Sequence, residues 1–184
     1  MHFAVNKTER KTDMKKLYIL LFTFILLSPT AFAYTDVSDS DSFSDAAQRL
    51  SDLGIINGYT DGSFRPYGSV TREEFAKMIV CAMDKEDDAR AMSGQTSKFY
   101  DIPSGSWSVP YVNYISEKGI IKGYANGSFG PKNNINFAEA STILCRLLGY
   151  DEKSVGYYWP NNYILKSNEL GFNFGTSDAY APLD

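Results

Sequence analysis

Histidine, cysteine, clustered carboxylates and a helix-leading arginine are the residue types here whose chemistry is worth weighing first. His2 is the only histidine and lies in an N-terminal segment with the marks of a cleaved leader, which excludes a His-based triad or zinc site from the remaining chain. Cys81 and Cys145 each sit among apolar residues of a helical pattern. Three readings stay open for them: small core hydrophobes, a mutual disulfide, or a reactive thiol, the last having no histidine nearby to activate it. Glu73 and Glu74 are adjacent, so on a helix they point in different directions and form a poor acid–base pair. The acidic run Asp36, Asp39, Asp41, Asp45 lacks the mid-loop glycine and terminal glutamate of an EF-hand. No catalytic residue, metal or cofactor is therefore expected. Arg72 is different: it opens a helix pattern, where free N–H groups and the helix dipole favour an anion, and a guanidinium grips a carboxylate with two parallel bonds. The competing reading is an ion pair with a neighbouring carboxylate.

The elements that must position these groups fall within a chain of 184 residues, enough for one domain or a few small repeats but not for an anchor plus a separate catalytic domain. Lys15 and Lys16 precede an apolar run from Leu17 to Leu27, followed by Pro29 and the small-x-small site Ala31-Phe32-Ala33. This predicts a secretory signal peptide over 1–33, with Met14 an alternative start, a mature chain beginning at Tyr34, and no membrane span in that chain. The remainder carries 13 Lys and Arg against 20 Asp and Glu, a net charge of −7, which argues against nucleic acid and anionic membranes as partners. Aromatic residues are abundant at 15%. They serve either as bulk in small cores or as surface platforms for sugars.

The chain repeats itself with a period of 65. Gly54-Ile-Ile-Asn-Gly-Tyr-Thr-Asp-Gly-Ser-Phe-Arg-Pro66 matches Gly119-Ile-Ile-Lys-Gly-Tyr-Ala-Asn-Gly-Ser-Phe-Gly-Pro131, and Tyr34-Thr-Asp-Val37 matches Phe99-Tyr-Asp-Ile102. Each unit reads as helix, turn, helix. Phe43, Ala46, Ala47, Leu50 and Leu53 recur at helical spacing up to Gly54; Pro110, Val112 and Ile115 lead likewise to Gly119. Asp61-Gly62 and Asn126-Gly127 are turn dipeptides, with Phe64 and Phe129 as plugs, and Asp36 and Asp101 are expected to cap a first helix or turn. The second helices open on the capping boxes Thr71-x-x-Glu74 and Asn136-x-x-Glu139, which assigns these four residues structural roles. Stripes of Phe75, Met78, Ile79, Met83 and of Ile143, Leu144, Leu147, Leu148 are expected to meet in a shared core. The organisation is thus repeat 1 over 34–84, a solvated connector over 85–98, repeat 2 over 99–150, and a partial repeat 3 over 151–184. In the third, Trp159 precedes Gly171 by the interval that separates Trp107 from Gly119, Pro160 repeats the early proline, and Gly171 and Gly175 keep the Gly-x-x-x-Gly spacing, but the turn and a capped second helix are missing.

These spaced elements together resemble the S-layer homology domain, firmly over Tyr34 to about Tyr150 and weakly over Asp151 to Gly175. The resemblance implies a mainly α fold of tandem helix-turn-helix units in a pseudo-threefold helical prism whose third unit is incomplete. It implies a secreted, non-enzymatic protein held on a bacterial cell wall by binding, in grooves between units, a pyruvylated secondary polysaccharide attached to peptidoglycan. A pyruvyl ketal carries a carboxylate, so Arg72, in the Thr71-Arg72-Glu73-Glu74 position of the family motif, is the expected anion ligand; unit two has Phe137 there. Trp107 either stacks on a sugar or packs under the turn. Gly58, Tyr59, Gly123 and Tyr124 border the family's groove, although the glycines also serve the turn itself. Loss of the arginine from unit two and the incomplete third unit imply fewer competent grooves. The alternative function is a structural or self-assembling surface-layer protein that binds other protein, including S-layer proteins, rather than sugar.

Overall fold

The computed structural model describes residues 34–172 and 178–183; the expected signal peptide over 1–33 and Gly175 lie outside them. Among the described residues seven helices follow one another: α1 (Ser44–Asp52), α2 (Arg72–Ala82), α3 (Glu86–Arg90), α4 (Val109–Glu117), α5 (Phe137–Leu147), α6 (Glu152–Val155) and α7 (Asn161–Glu169). Among the described residues extended pairing is limited to two isolated bridges, so the fold is mainly α. The helices α1, α4 and α7 are the first helices of the three units; α2 and α5 are second helices.

The repeated motif is one local device used twice. The carboxylate of Asp36 accepts from the amides of Phe64 and Arg65 (2.7 and 2.8 Å), and that of Asp101 accepts from Phe129 and Gly130 (2.8 and 2.7 Å). The aspartate of the Phe/Tyr-x-Asp-Val/Ile element thus caps the Gly-Ser-Phe turn rather than a first helix. Both capping boxes are formed: the side chains of Thr71 and Asn136 accept from the amides of Glu74 and Glu139, whose carboxylates accept from the cap amides in return. Phe129 is fully buried, whereas Phe64 is only half-buried.

The two apolar stripes share one core, as expected, without the second helices lying against each other. Instead α2 packs along α4 and α5 along α7, so each second helix pairs with the first helix of the following unit. Both stripes still join one core around Val80, Val112, Ile115, Phe129 and Ile135, apart from Leu148, which is exposed, and Met78, which lines a groove. The 85–98 segment is also more than a solvated connector. It contains α3, whose Ala89 is fully buried against α4 and whose Glu86 accepts from Tyr111 Oη at 2.9 Å.

A ring of three backbone bonds closes the fold. The amide of Ile135 donates to Val70 O (2.8 Å), that of Leu183 to Ile135 O (3.0 Å), and that of Val70 to Leu183 O (3.4 Å). Two of the three ring segments also satisfy orphan amides of the preceding unit's second helix. Arg72 and Glu73 donate to Asn133 O and Pro131 O (2.9 and 3.2 Å), while Phe137 and Ala138 donate to Ala181 O and Ala179 O (3.1 and 2.8 Å). The C-terminal residues 178–183 therefore take, in the third unit, the place that 131–135 take in the second, and the arrangement is pseudo-threefold.

Candidate functional site

Pairing a second helix with the next unit's first helix leaves a groove at each junction. The first groove, about 520 Å³, is walled by the Ile55–Tyr59 link, the Phe64–Gly68 turn, Glu74, Lys77 and Met78 of α2, and Trp107 from the following unit. The second, about 260 Å³, repeats the link and second-helix walls 65 residues on with Ile121–Tyr124, Glu139, Thr142, Ile143 and Arg146 of α5, and is completed by Trp159 from the third unit, 52 residues after Trp107. Arg72 reaches it from the preceding unit. The six residues singled out as ligand candidates are thus divided: Gly58, Tyr59 and Trp107 line the first groove, and Arg72, Gly123 and Tyr124 the second.

The glycines of these links are required by close approach. At Gly123, with φ +73°, an added Cβ would stand 2.3 Å from Phe99 Cε1 and 2.8 Å from Ser128 O; Gly58 meets Tyr34 and Ser63 O in the same way. The aromatic that opens each unit lies directly over the link glycine, which ties two distant parts of the repeat together and turns the following tyrosine towards the groove.

Arg72 does not stand free at its helix terminus. It is 4% exposed, donates from Nε to Phe129 O at 2.9 Å, and pairs through Nη1 with Glu139 Oε1 at 3.0 Å. Its guanidinium lies 4.6 Å from the Tyr124 ring centroid and 5.1 Å from that of Phe129. Tyr124 Oη donates to the same Glu139 oxygen at 2.8 Å, and burial, then this bond, push the phenol's pKa up. Of the two readings of Arg72, the ion pair is therefore formed, with the capping Glu139 of the next unit, and the guanidinium lies over the Phe129 ring. The remaining polar groups here are paired as well. Trp159 Nε1 donates to Thr142 Oγ1 at 3.0 Å, Arg146 donates to Tyr163 Oη and to Glu152, and Lys122 pairs with Glu152 at 3.0 Å. Burial works to raise the pKa of Glu152, but Lys122, its own backbone amide and Arg146 outweigh that and hold it at about 2, well below 4.5.

The first groove differs in two places. Lys77 occupies the position of Thr142, so the indole of Trp107, 47% exposed, has no hydroxyl to meet at that position. Lys77 itself forms no ion pair or hydrogen bond among the described residues, its ammonium standing 5.8 Å from the Tyr111 ring centroid. Arg65 stacks on Tyr59 at 3.9 Å from the ring centroid and pairs with Asp61 at 2.9 Å, both partners more than half exposed. The pair and the bonds from Ser63 to Asp61, the Ser63 hydroxyl foremost, lower the Asp61 pKa well below its usual value. Arg65, Lys77, Arg146 and Trp159 were not among the sequence candidates. Arg65 carried a visible signal, a non-glycine where the repeat has Gly130, and Trp159 was visible by its spacing, but the pairing of α5 with α7 is what brings it to a groove.

Elsewhere, Glu73 pairs with Lys132, and Glu74 is engaged in its capping box, so neither carboxylate is free for acid–base work. Cys81 and Cys145 are free thiols; burial raises the pKa of both, which disfavours the thiolate. No helix among the described residues is long and apolar enough to cross a membrane.

The S-layer homology domain family matches residues 33–76 and 98–141. The chain is 37% identical over 158 residues to a surface layer protein of Brevibacillus choshinensis, covering 84% of this chain and 14% of that protein. It is 31% identical over 175 residues to a cell surface protein of Thermoanaerobacter kivui, covering 91% and 22%. It is also 29% identical over 119 residues to a cellulosome-anchoring protein of Acetivibrio thermocellus, covering 65% and 26%. The chain thus spans about a quarter or less of the length of these relatives.

Proposed function

The chain belongs to the S-layer homology domain family, a cell-surface module, and from that premise we propose that it anchors non-covalently to the bacterial cell wall by binding a secondary wall polysaccharide in its interunit grooves. The polymer proposed is a pyruvylated one attached to peptidoglycan. The observation that carries this reading is the duplication of one groove: link glycine and tyrosine, capping glutamate, an arginine stacked on the tyrosine, and a tryptophan from the next unit recur together at both junctions. Exposed aromatic faces beside cations suit a sugar that bears a carboxylate. The name of the cellulosome-anchoring relative supports attachment as the task. A non-catalytic role is supported by Glu73 and Glu74, whose carboxylates are each committed to a structural partner.

The test is sedimentation of the purified secreted chain with wall sacculi before and after acid removal of the secondary polymer. Binding to intact sacculi that disappears on stripping is expected. Undiminished binding to stripped sacculi would sink the polysaccharide reading, and binding only to isolated S-layer protein would favour self-assembly instead.

A further inference from the structure

We infer that the first groove, not the one that holds Arg72, receives the anionic group of the ligand, and that Lys77 and Arg65 are the residues that grip it. This rests on the groove reading above and specifies which groove and which side chains carry it.

The two grooves are alike in plan and opposite in the state of their polar groups. In the second, Arg72 is buried against Glu139 and Phe129 O, Arg146 and Lys122 both hold Glu152, and the Trp159 indole is engaged by Thr142. An incoming carboxylate would have to break buried pairs, and separating such a pair leaves an uncompensated charge. Its volume of about 260 Å³ also falls below the roughly 300–1,000 Å³ of small-ligand sites. The second groove is a seam that joins the three units.

The first groove has about 520 Å³ and two accessible cations. Lys77, on the α2 wall, forms no salt bridge among the described residues, its charge acting only at longer range on Glu86, and the Trp107 indole beside it meets a lysine where Trp159 meets Thr142. Arg65 lies across the face of Tyr59, held there by Asp61 and by Ser63 Oγ. That ion pair is solvent-exposed, so it orients the guanidinium at little net energy and yields readily to a competing carboxylate. The backbone supplies an independent sign. Arg65 has φ +59°, a left-handed conformation that an L-residue with a Cβ adopts at a cost, and the second unit fills the same position with Gly130. There an added Cβ would lie 2.7 Å from Tyr124 Cε2, and Arg72 takes the tyrosine face instead. Asp84 has the same conformation opposite Gly149 where it follows the end of α2, whereas at Arg65 it carries the guanidinium onto the Tyr59 ring. The ligand class that fits is a hexose unit bearing a carboxylate, its ring against Trp107 and its anion between Lys77 and Arg65.

The experiment measures affinity of the full secreted chain by calorimetry for a hexose methyl glycoside carrying a pyruvyl ketal, beside the same glycoside without the ketal. Lys77→Gln and Arg65→Gln are each expected to weaken binding of the ketal roughly tenfold, the scale of losing a charge-assisted bond. The glycoside without the ketal should bind the wild-type chain at least about tenfold more weakly by the same reasoning. Lys122→Gln, at the rim of the second groove, should change affinity less than about twofold. Arg65 is exposed, Lys77 is half-buried and neither makes a buried bond, so these variants keep the fold, which circular dichroism verifies. The inference is overturned if both first-groove variants bind as the wild type does, if Lys122→Gln loses as much as Lys77→Gln, or if wild type binds intact sacculi but not the ketal; in all three cases the anchoring function stands. Failure of wild type to bind either sacculi or glycoside removes the anchoring function and this inference with it.

Discussion

At the scale of single residues, the repeat permits each side chain to be read against its counterpart 65 positions away. Gly119 and Gly123 both have φ +73°, yet only Gly123 is enclosed, its absent Cβ facing Phe99 and Ser128 O, while nothing lies within 4 Å of the corresponding point at Gly119. Gly119→Ala should therefore cost about 1–2 kcal/mol, from backbone strain alone. Gly123→Ala should cost a further 1–3 kcal/mol, roughly the penalty of overpacking a closed site. Urea denaturation of the two variants checks the order, and equal losses would contradict the close-approach argument. This contrast was only partly legible in the sequence, where both glycines stand in the same motif. Arg72 teaches the same lesson in reverse: its motif position marked it as important, but its partner Glu139 lies 67 residues away and was itself legible only as a cap.

At the scale of elements, α6 is a small wedge whose Glu152 holds Lys122 of the second link and Arg146 of α5. Because the folded-state pKa of Glu152, about 2, lies below the ordinary value of 4.5, its contribution to stability is present above pH 4.5 and is lost as pH falls towards 2. Wild type should accordingly be more stable than Glu152→Gln at neutral pH, with the difference shrinking through this window. Chemical denaturation at a series of pH values measures it; a difference independent of pH would disprove the coupling. The capped starts of α2 and α5 and the glycine ends of α1 and α4 were readable from local chemistry, since caps and turns are satisfied within a few residues. The helix partners were not. An amphipathic stripe states that a face is buried but not against what, and here each stripe faces the next unit's first helix.

For the whole molecule, the ring formed by Val70, Ile135 and Leu183 makes three unequal units into one structure. Removing residues 178–184 takes away the acceptors of the Phe137 and Ala138 amides and the Leu183 side chain that packs on the core. Summing one aliphatic side chain at partial burial and a few backbone bonds gives a loss of about 3 kcal/mol. For a chain of this size that corresponds to a fall in Tm of roughly 6–12 °C. Differential scanning calorimetry of the truncated chain provides the measurement, and an unchanged Tm would show that the ring does not contribute.

The sequence by itself determined the helical units, their turns, their caps and the family, because each of these depends on residues close along the chain or on a pattern that recurs at a fixed interval. Only the tertiary structure decided that α2 and α5 each serve the following unit and that Arg72 is engaged in a buried pair. It also showed that residues 178–183, which match no part of the repeat by sequence, occupy the third position of the closing ring. The physical reason is common to all three. Backbone carbonyls and buried ion pairs are satisfied by whatever group the packing brings near, and a carbonyl is the same whether alanine, asparagine or proline carries it.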